Sequence, residues 1–318
     1  IASTSRLLRE YEEEHGEPLT VHTVVIDECG CTPESSTPML LRMRPVNLIL
    51  VGDHKQLPPL SLLPPHELAG TGHDRSLLER CVLASGQVHR LTHQYRMHGA
   101  ICKVVSNLFY AGRLLTPPDL KRTAKFPMQW YECRGRETME SNSYINRHEL
   151  QEVRTLASIF RQQHPKASIA ILTFYKGQLN ELASTIPASW GVEVLTVDAC
   201  QGSEFDYVIV SCVRSNPEGR IGFVKDAKRI CVAISRAKQM QVFVGNSQTM
   251  SADQDWRYVV ANCSEGQERD SKKVVRSTGD DGPSIAEVQR DAKIAERLQK
   301  QEEAAAAGQD VSSGREGK

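Results

Sequence analysis

The 318-residue sequence has no net charge: 39 Lys and Arg balance 39 Asp and Glu, which excludes a uniformly basic coat for nucleic acid. A local basic groove stays open, because the field that attracts phosphate belongs to a surface and not to a chain average. No apolar run approaches ~18 residues, so no segment is expected to span a membrane. No basic-then-apolar leader stands at Ile1, and there is no initiator Met, so a fragment is the expectation. The 9 cysteines are an odd number that a full disulfide framework cannot use, which favours a reducing compartment, cytoplasmic or nuclear. Cys29 and Cys31 sit one residue apart, and no second pair completes a tetrahedral zinc site. His98 and Cys102, four apart on an expected helix, are taken as packing and solvent positions.

What is present is an ordinary globular balance, 40% hydrophobic and 25% charged, over a length that predicts about two domains. Short apolar runs broken by Gly and polar clusters, with helical stretches between them, are the pattern of buried parallel strands in βαβ units. The class is therefore α/β. Val24 to Ile26 and Leu48 to Val51 are strands of a first domain, joined by a helix that Thr32 caps and that begins at Pro33. A second sheet is expected from 88–91, 129–133, 168–172, 192–197, 207–213 and 241–244. Between them, residues 146–161 carry Leu150, Val153, Leu156, Ala157 and Phe160 at helical spacing. The expected division is 1–87, a first domain that begins too late for a full sheet, then 88–264, a complete second domain. Residues 265–318 form a low-complexity tail, with a solvated helix over 284–307 that could engage a protein partner.

Asp27 and Glu28 directly follow an apolar run, which places two carboxylates at the carboxyl edge of a sheet, where open α/β folds bind ligands. One holding magnesium and the other taking a proton from water would suit a nucleotide hydrolase. A solvated strand end and a metal-dependent nuclease are the other readings of the pair. The next strand runs into Gly52-Asp53-His54-Lys55-Gln56-Leu57-Pro58-Pro59, a second polar loop expected beside the first.

With these strings the sequence resembles the superfamily 1 helicases. DECG at 27–30 and GDHKQLPP at 52–59 resemble motifs II and III, QYRMH at 94–98 the motif that opens the second RecA-like domain, and TFYKGQ at 173–178 motif IV. VDACQGSEFDYVIVSCVRSN at 197–216 resembles motif V with its following strand, and RICVAISRAK at 229–238 resembles motif VI. The order matches, over residues 1–250, and the nearest branch is that of the RNA helicase of nonsense-mediated decay. IASTSR at 1–6 is similar to a nucleic-acid-contacting loop of that family.

The resemblance implies two RecA-like parallel-sheet domains, ATP and Mg2+ as cofactors, and single-stranded RNA or DNA as partner. It makes Asp27 the magnesium ligand, Glu28 the general base and Gln56 the residue that positions water or senses the γ-phosphate. Arg96 and Arg236 become cationic clamps on the phosphoryl group, Tyr95 a stacking platform for adenine and Glu204 an acceptor for the ribose, with Gly202 beside it at the nucleotide. Pro58, Pro59, Thr173, Tyr175, Lys176 and Thr196 would touch nucleic acid, and the short basic run of Lys121, Arg122 and Lys125 reads either as further phosphate contacts or as a solvated face. Departures from the family pattern fall at Cys29, Gly30 and Cys31, at Phe174, and at Cys200 and Ser203. No G-x-x-x-x-G-K-[ST] phosphate cradle occurs in the 318 residues. The expectation is therefore part of an ATP-dependent helicase that is inactive as this chain alone, with a catalytically inactive nucleic-acid-binding or scaffold piece as the alternative.

Overall fold

The computed structural model describes residues 2–265 apart from 62, 64, 69, 70, 86 and 87. The expected tail helix over 284–307 lies outside the described residues. The chain divides into two compact units, the first ending at Arg90 and the second starting at Leu91.

In the first unit, α1 (Ala2–His15) leads to β1 (Thr23–Ile26) and β2 (Asn47–Leu50), then α2 (Pro65–Leu68) and α3 (Leu77–Ser85). β1 and β2 pair in parallel, Val24 opposite Leu48 and Ile26 opposite Leu50. Alternation along β1 buries Val24 and Ile26 against Leu40, Met43 and Leu78. Two expectations are corrected here. Residues 2–6 are helical and not a loop, because the run that follows favours a helix, with Arg6 and Glu10 paired at 3.2 Å one turn apart and Leu8 packed on the core. The connection expected as one helix from Pro33 is instead a series of 3₁₀ turns, Cys29–Cys31, Glu34–Ser36 and Pro38–Met43. Pro38 lacks the N–H that a helix started at Pro33 would need at that point, so the chain restarts there, with i→i+3 bonds such as Thr37 N to Glu34 O at 3.0 Å.

The second unit contains α4 (Gly99–Phe109), β3 (Met128–Glu132), a hairpin of β4 (Thr138–Glu140) and β5 (Ser143–Ile145), α5 (Arg147–Gln163), β6 (Ile169–Thr173) and α6 (Lys176–Thr185). It continues through β7 (Val192–Thr196), β8 (Phe205–Ser211), α7 (Ala227–Ile234), β9 (Ala237–Gly245), α8 (Ser247–Met250), α9 (Gln254–Ala261) and β10 (Ser264–Glu265). Six parallel strands lie in the order β10-β3-β9-β8-β6-β7. Residues 88–91 are not one of them: Leu91 is 90% exposed, and the pairing nearby is an isolated bridge between His93 and Leu115. The edge place beside β3 is taken by β10.

Both faces of this sheet are covered, which is why its strands are near-continuous apolar runs. On one face Asn146 caps α5, its Oδ1 accepting from Glu149 N at 3.2 Å, and the helix lays Leu150, Val153, Leu156, Ala157 and Phe160 on Ile169, Ile171, Ile209, Val242 and Val244. Each large side chain so buried contributes about 1.5–3 kcal/mol. On the other face Trp256 meets Phe243 edge-on at 5.9 Å between centroids and donates from Nε1 to Val224 O at 2.8 Å.

Candidate functional site

In the first unit the two loops expected at one sheet edge are in contact. Val51 N donates to Ile26 O at 2.9 Å and Cys29 N to Val51 O at 2.8 Å, so each strand's exit holds the other. A Cβ at Gly30 would come within 2.6 Å of Asp53 O, so glycine is what lets the DECG and GDHKQLPP loops touch. Glu28 sits in the left-handed region at φ 49, an uncommon conformation for a residue with a side chain, and heads the first 3₁₀ turn. Asp27 and Glu28 are both exposed, with Asp27 Oδ1 accepting from Glu28 N at 2.9 Å. Gln56 is half-buried and donates from Nε2 to Asp53 Oδ2 at 3.0 Å, while Asp53 Oδ1 accepts from Lys55 N at 2.9 Å. The exposed Asp27 carboxylate suits magnesium, which takes one or two carboxylates and completes its octahedron with phosphate and water.

The second unit gathers the arginines. Tyr95, expected as a stacking platform, projects with 68% of its surface exposed. Arg96 turns the other way: Nε donates to Glu204 Oε2 at 2.7 Å and Nη1 to Ser235 O at 3.3 Å. Lys238 Nζ lies 2.9 Å from the other oxygen, Glu204 Oε1. Bonds from Lys238 and Arg96 push the Glu204 carboxyl down to about 2. Both carboxylate oxygens are thus engaged by cations, so the group assigned to a ribose is here a counter-ion, and the guanidinium assigned to phosphate holds it.

Arg236, expected as a clamp on the phosphoryl group, is 1% exposed. Its Nε donates to Val232 O at 3.0 Å, Nη1 to Ser203 O at 3.3 Å and Nη2 to Ser235 Oγ at 2.7 Å. Burial first and the charge of Arg96 second hold its pKa below the usual arginine value. Gly202 is exposed at φ 81, in the turn after the buried Cys200, whose Sγ donates to Val197 O at 3.2 Å.

Of the residues expected at nucleic acid, Lys176 is exposed, and Pro58 and Thr196 are half-buried. Thr173, Tyr175 and Pro59 are buried. Thr173 ends a strand covered on both faces. Tyr175 is drawn inward because its hydroxyl accepts from Arg214 Nη1 at 3.3 Å and its ring packs on Phe223 at 4.8 Å. Arg214 also pairs with Glu137 at 3.1 Å and lies over the Tyr144 ring at 4.0 Å. Arg122, expected at phosphate, faces the backbone instead, donating to the carbonyls of Arg96 and Tyr95 at 3.0 and 3.1 Å.

Sequence reasoning missed Ser235, Lys238 and Gln94 as parts of the arginine cluster, although all three lie inside the strings it quoted. It also missed Glu149, fully buried at the base of the 213–216 loop. Glu149 Oε2 accepts from Ser211 Oγ at 2.7 Å and Val213 N at 2.8 Å, holding Val213 at φ 70, and burial pushes its carboxyl up to about 8.

A family model described as an AAA domain matches residues 73–248, and a second AAA-domain model matches residues 2–62. The regulator of nonsense transcripts 1 homolog of Neurospora crassa is 34% identical over 263 residues, covering 75% of this chain and 24% of that protein. The ATP-dependent helicase NAM7 of Saccharomyces cerevisiae is 33% identical over 262 residues, covering 75% of this chain and 27% of that protein. The chain therefore spans about a quarter of the length of these curated relatives. Among solved structures, that of the PRRSV helicase covers 73% of this chain and 36% of its own, with 18% identity and a TM-score of 0.40.

Proposed function

Because the chain belongs to the AAA-domain superfamily 1 helicases, in the branch of the nonsense-mediated decay helicase, we propose that it is part of an ATP-dependent motor on single-stranded nucleic acid, RNA in preference to DNA. The observation that carries the reading is in the second unit, where Tyr95 projects into solvent beside Arg96 and Arg96 shares Ser235 with Arg236. A flat exposed ring next to paired guanidiniums suits a ligand with a base at one end and phosphates at the other. In the first unit Asp27 is the ligand that would hold a nucleotide-bound magnesium, and Glu28 and Gln56 follow as the groups that take a proton from water and orient it. Magnesium bound there neutralises charge that develops on the transferring phosphoryl group.

The chain's own residues set one condition. Arg96 reaches a phosphate only by leaving Glu204, and the Glu204 oxygen so released becomes an acceptor for a ribose hydroxyl. Nucleotide binding on this reading is an exchange of ion pairs. Arg236, already desolvated, meets phosphate only when the turn that carries Gly202 and Ser203 yields. The absence of the G-x-x-x-x-G-K-[ST] cradle from the 318 residues favours no turnover by this chain alone.

The experiment is steady-state ATPase with and without a single-stranded oligonucleotide, together with strand binding by fluorescence anisotropy. Expected are no turnover and weak, sequence-tolerant, salt-sensitive binding with RNA ahead of DNA. Stimulated turnover overturns the inactivity of the isolated chain, and failure to bind any strand at low salt overturns the nucleic-acid reading.

A further inference from the structure

No helix or strand holds residues 94–97, so the directions of Tyr95 and Arg96 depend on what satisfies the backbone of that turn. Two side chains do. Gln94 serves two donors and one acceptor: its Oε1 accepts from Arg96 N at 2.8 Å and Met97 N at 2.6 Å, and its Nε2 donates to Met97 O at 2.9 Å and to Thr116 Oγ1 at 2.7 Å. Arg122 serves the other two carbonyls, with Nε donating to Arg96 O at 3.0 Å and Nη2 to Tyr95 O at 3.1 Å. The side chains of the two residues then diverge, Tyr95 outward and Arg96 toward Glu204.

We infer that Arg122 is a positioning residue, a fork across two consecutive carbonyls that fixes the opposed directions of the stacking tyrosine and the phosphate-directed arginine. The fork geometry is what the task requires. Two carbonyls a residue apart match two N–H groups held rigidly in one plane, whereas a lysine offers a single flexible point donor. The same cation stands near the helix that follows. His98 caps α4, its Nδ1 accepting from Ala100 N at 3.1 Å, which only an unprotonated Nδ1 can do. Burial first and the Arg122 charge second hold His98 below its usual pKa. One residue remote in sequence therefore supports both the turn and the helix start beyond it. The geometry stands independently of the nucleotide reading, and only its consequence for ligand binding rests on that reading.

The test uses the full chain, labelled for detection of arginine Nε–H signals, with the Arg96 signal assigned by its loss in Arg96→Lys. In the wild type this N–H is expected to exchange slowly with water because it is bonded to Glu204. In Arg122→Ala its exchange should quicken by about tenfold, the equivalent of roughly one hydrogen bond, while the core signals stay in place. Arg122→Lys, which keeps the charge and loses the second bond, should fall between the two and supplies the readout if the alanine variant does not fold. Lys166→Ala, at an exposed lysine outside the cluster, should behave as wild type. Unchanged exchange in both Arg122 variants, or an equal effect from Lys166→Ala, overturns the inference. ATP titration is the second arm: affinity should fall in Arg122→Ala, and equal affinity in the two proteins counts against the clamp. If the wild type binds no ATP, the functional reading fails and the Arg96 signal alone decides the clamp.

Discussion

Arg96 and Glu204, 108 residues apart in the chain, meet at 2.7 Å. The contact joins the turn that opens the second unit to the loop before β8. It also sets an internal carboxylate against any phosphate that approaches the same guanidinium. A charge-assisted bond of this kind is stronger than a neutral one, although the Glu204 side chain is 42% exposed and solvent screens part of its worth.

Glu204→Gln keeps an acceptor and removes the competing charge. Affinity for inorganic pyrophosphate, measured by titration calorimetry at low salt, is expected to rise by about two- to fivefold, the equivalent of the ~0.5–1 kcal/mol that a partly exposed pair contributes. Unchanged or weaker binding would show that Glu204 does not compete for Arg96.

Lys176 is the exposed cation at the start of α6 beside the buried Tyr175. Lys176→Ala should lower the slope of log K against log salt for a single-stranded oligonucleotide by about 0.7, the value for one lost phosphate contact. Anisotropy across a potassium chloride series gives both slope and affinity. An identical slope removes Lys176 from the contact set.

Glu149 makes stability depend on pH. Its carboxyl is pushed up to about 8 in the fold against an ordinary 4.5, so the folded chain holds a proton that the unfolded chain has released. A raised folded value contributes stability that is complete below the unfolded pKa and is lost as pH rises through the folded one. Its contribution to the thermal midpoint should therefore decline from about pH 4.5 to pH 8, and Glu149→Gln should flatten the decline. A wild-type profile as flat as the variant's across that window would show Glu149 ionised in the fold.

Arg236→Ala has two separable effects. It removes the guanidinium's bonds to Val232 O, Ser203 O and Ser235 Oγ, and a hydrogen bond from a charged donor contributes about 1.5–3 kcal/mol, so the denaturation midpoint should fall. In a turnover-competent protein that contains this chain, kcat should fall by roughly 10³-fold, about 4 kcal/mol of barrier, by analogy with arginine fingers. Nucleotide affinity should change far less, because the charge that Arg236 meets develops in the transition state. A near-normal kcat in a folded variant would remove Arg236 from the chemistry.

The sequence alone made a parallel α/β architecture and the order of the chemical strings legible, because both are local signals. Val24 to Ile26, Leu48 to Leu50 and Ile169 to Thr173 are short apolar runs that end in polar loops, and period-2 and period-3.6 patterns mark their elements without any distant partner. The stripe from Leu150 to Phe160 was readable for the same reason, and all five of its residues are in the core. The strand expected at 88–91 and the helix expected at Pro33 were misread where the signal was weakest, a run with two charged or polar members in four and a helix interrupted by a second proline.

The direction of each functional side chain was decided only by tertiary structure. Nothing near Tyr175 in sequence says that Arg214 will draw its hydroxyl inward, and nothing near Arg122 says that two carbonyls 26 and 27 residues back will take its guanidinium. Nor does the motif that contains Arg96 name Glu204 as its resting partner. These choices are electrostatic and long-range: a buried or half-buried charge takes whichever opposite charge or carbonyl the fold brings within about 3 Å, and that neighbour comes from another strand exit. Residue type and spacing thus set which chemistry the chain carries, while packing set which of those groups face solvent, which face one another and which are locked inside.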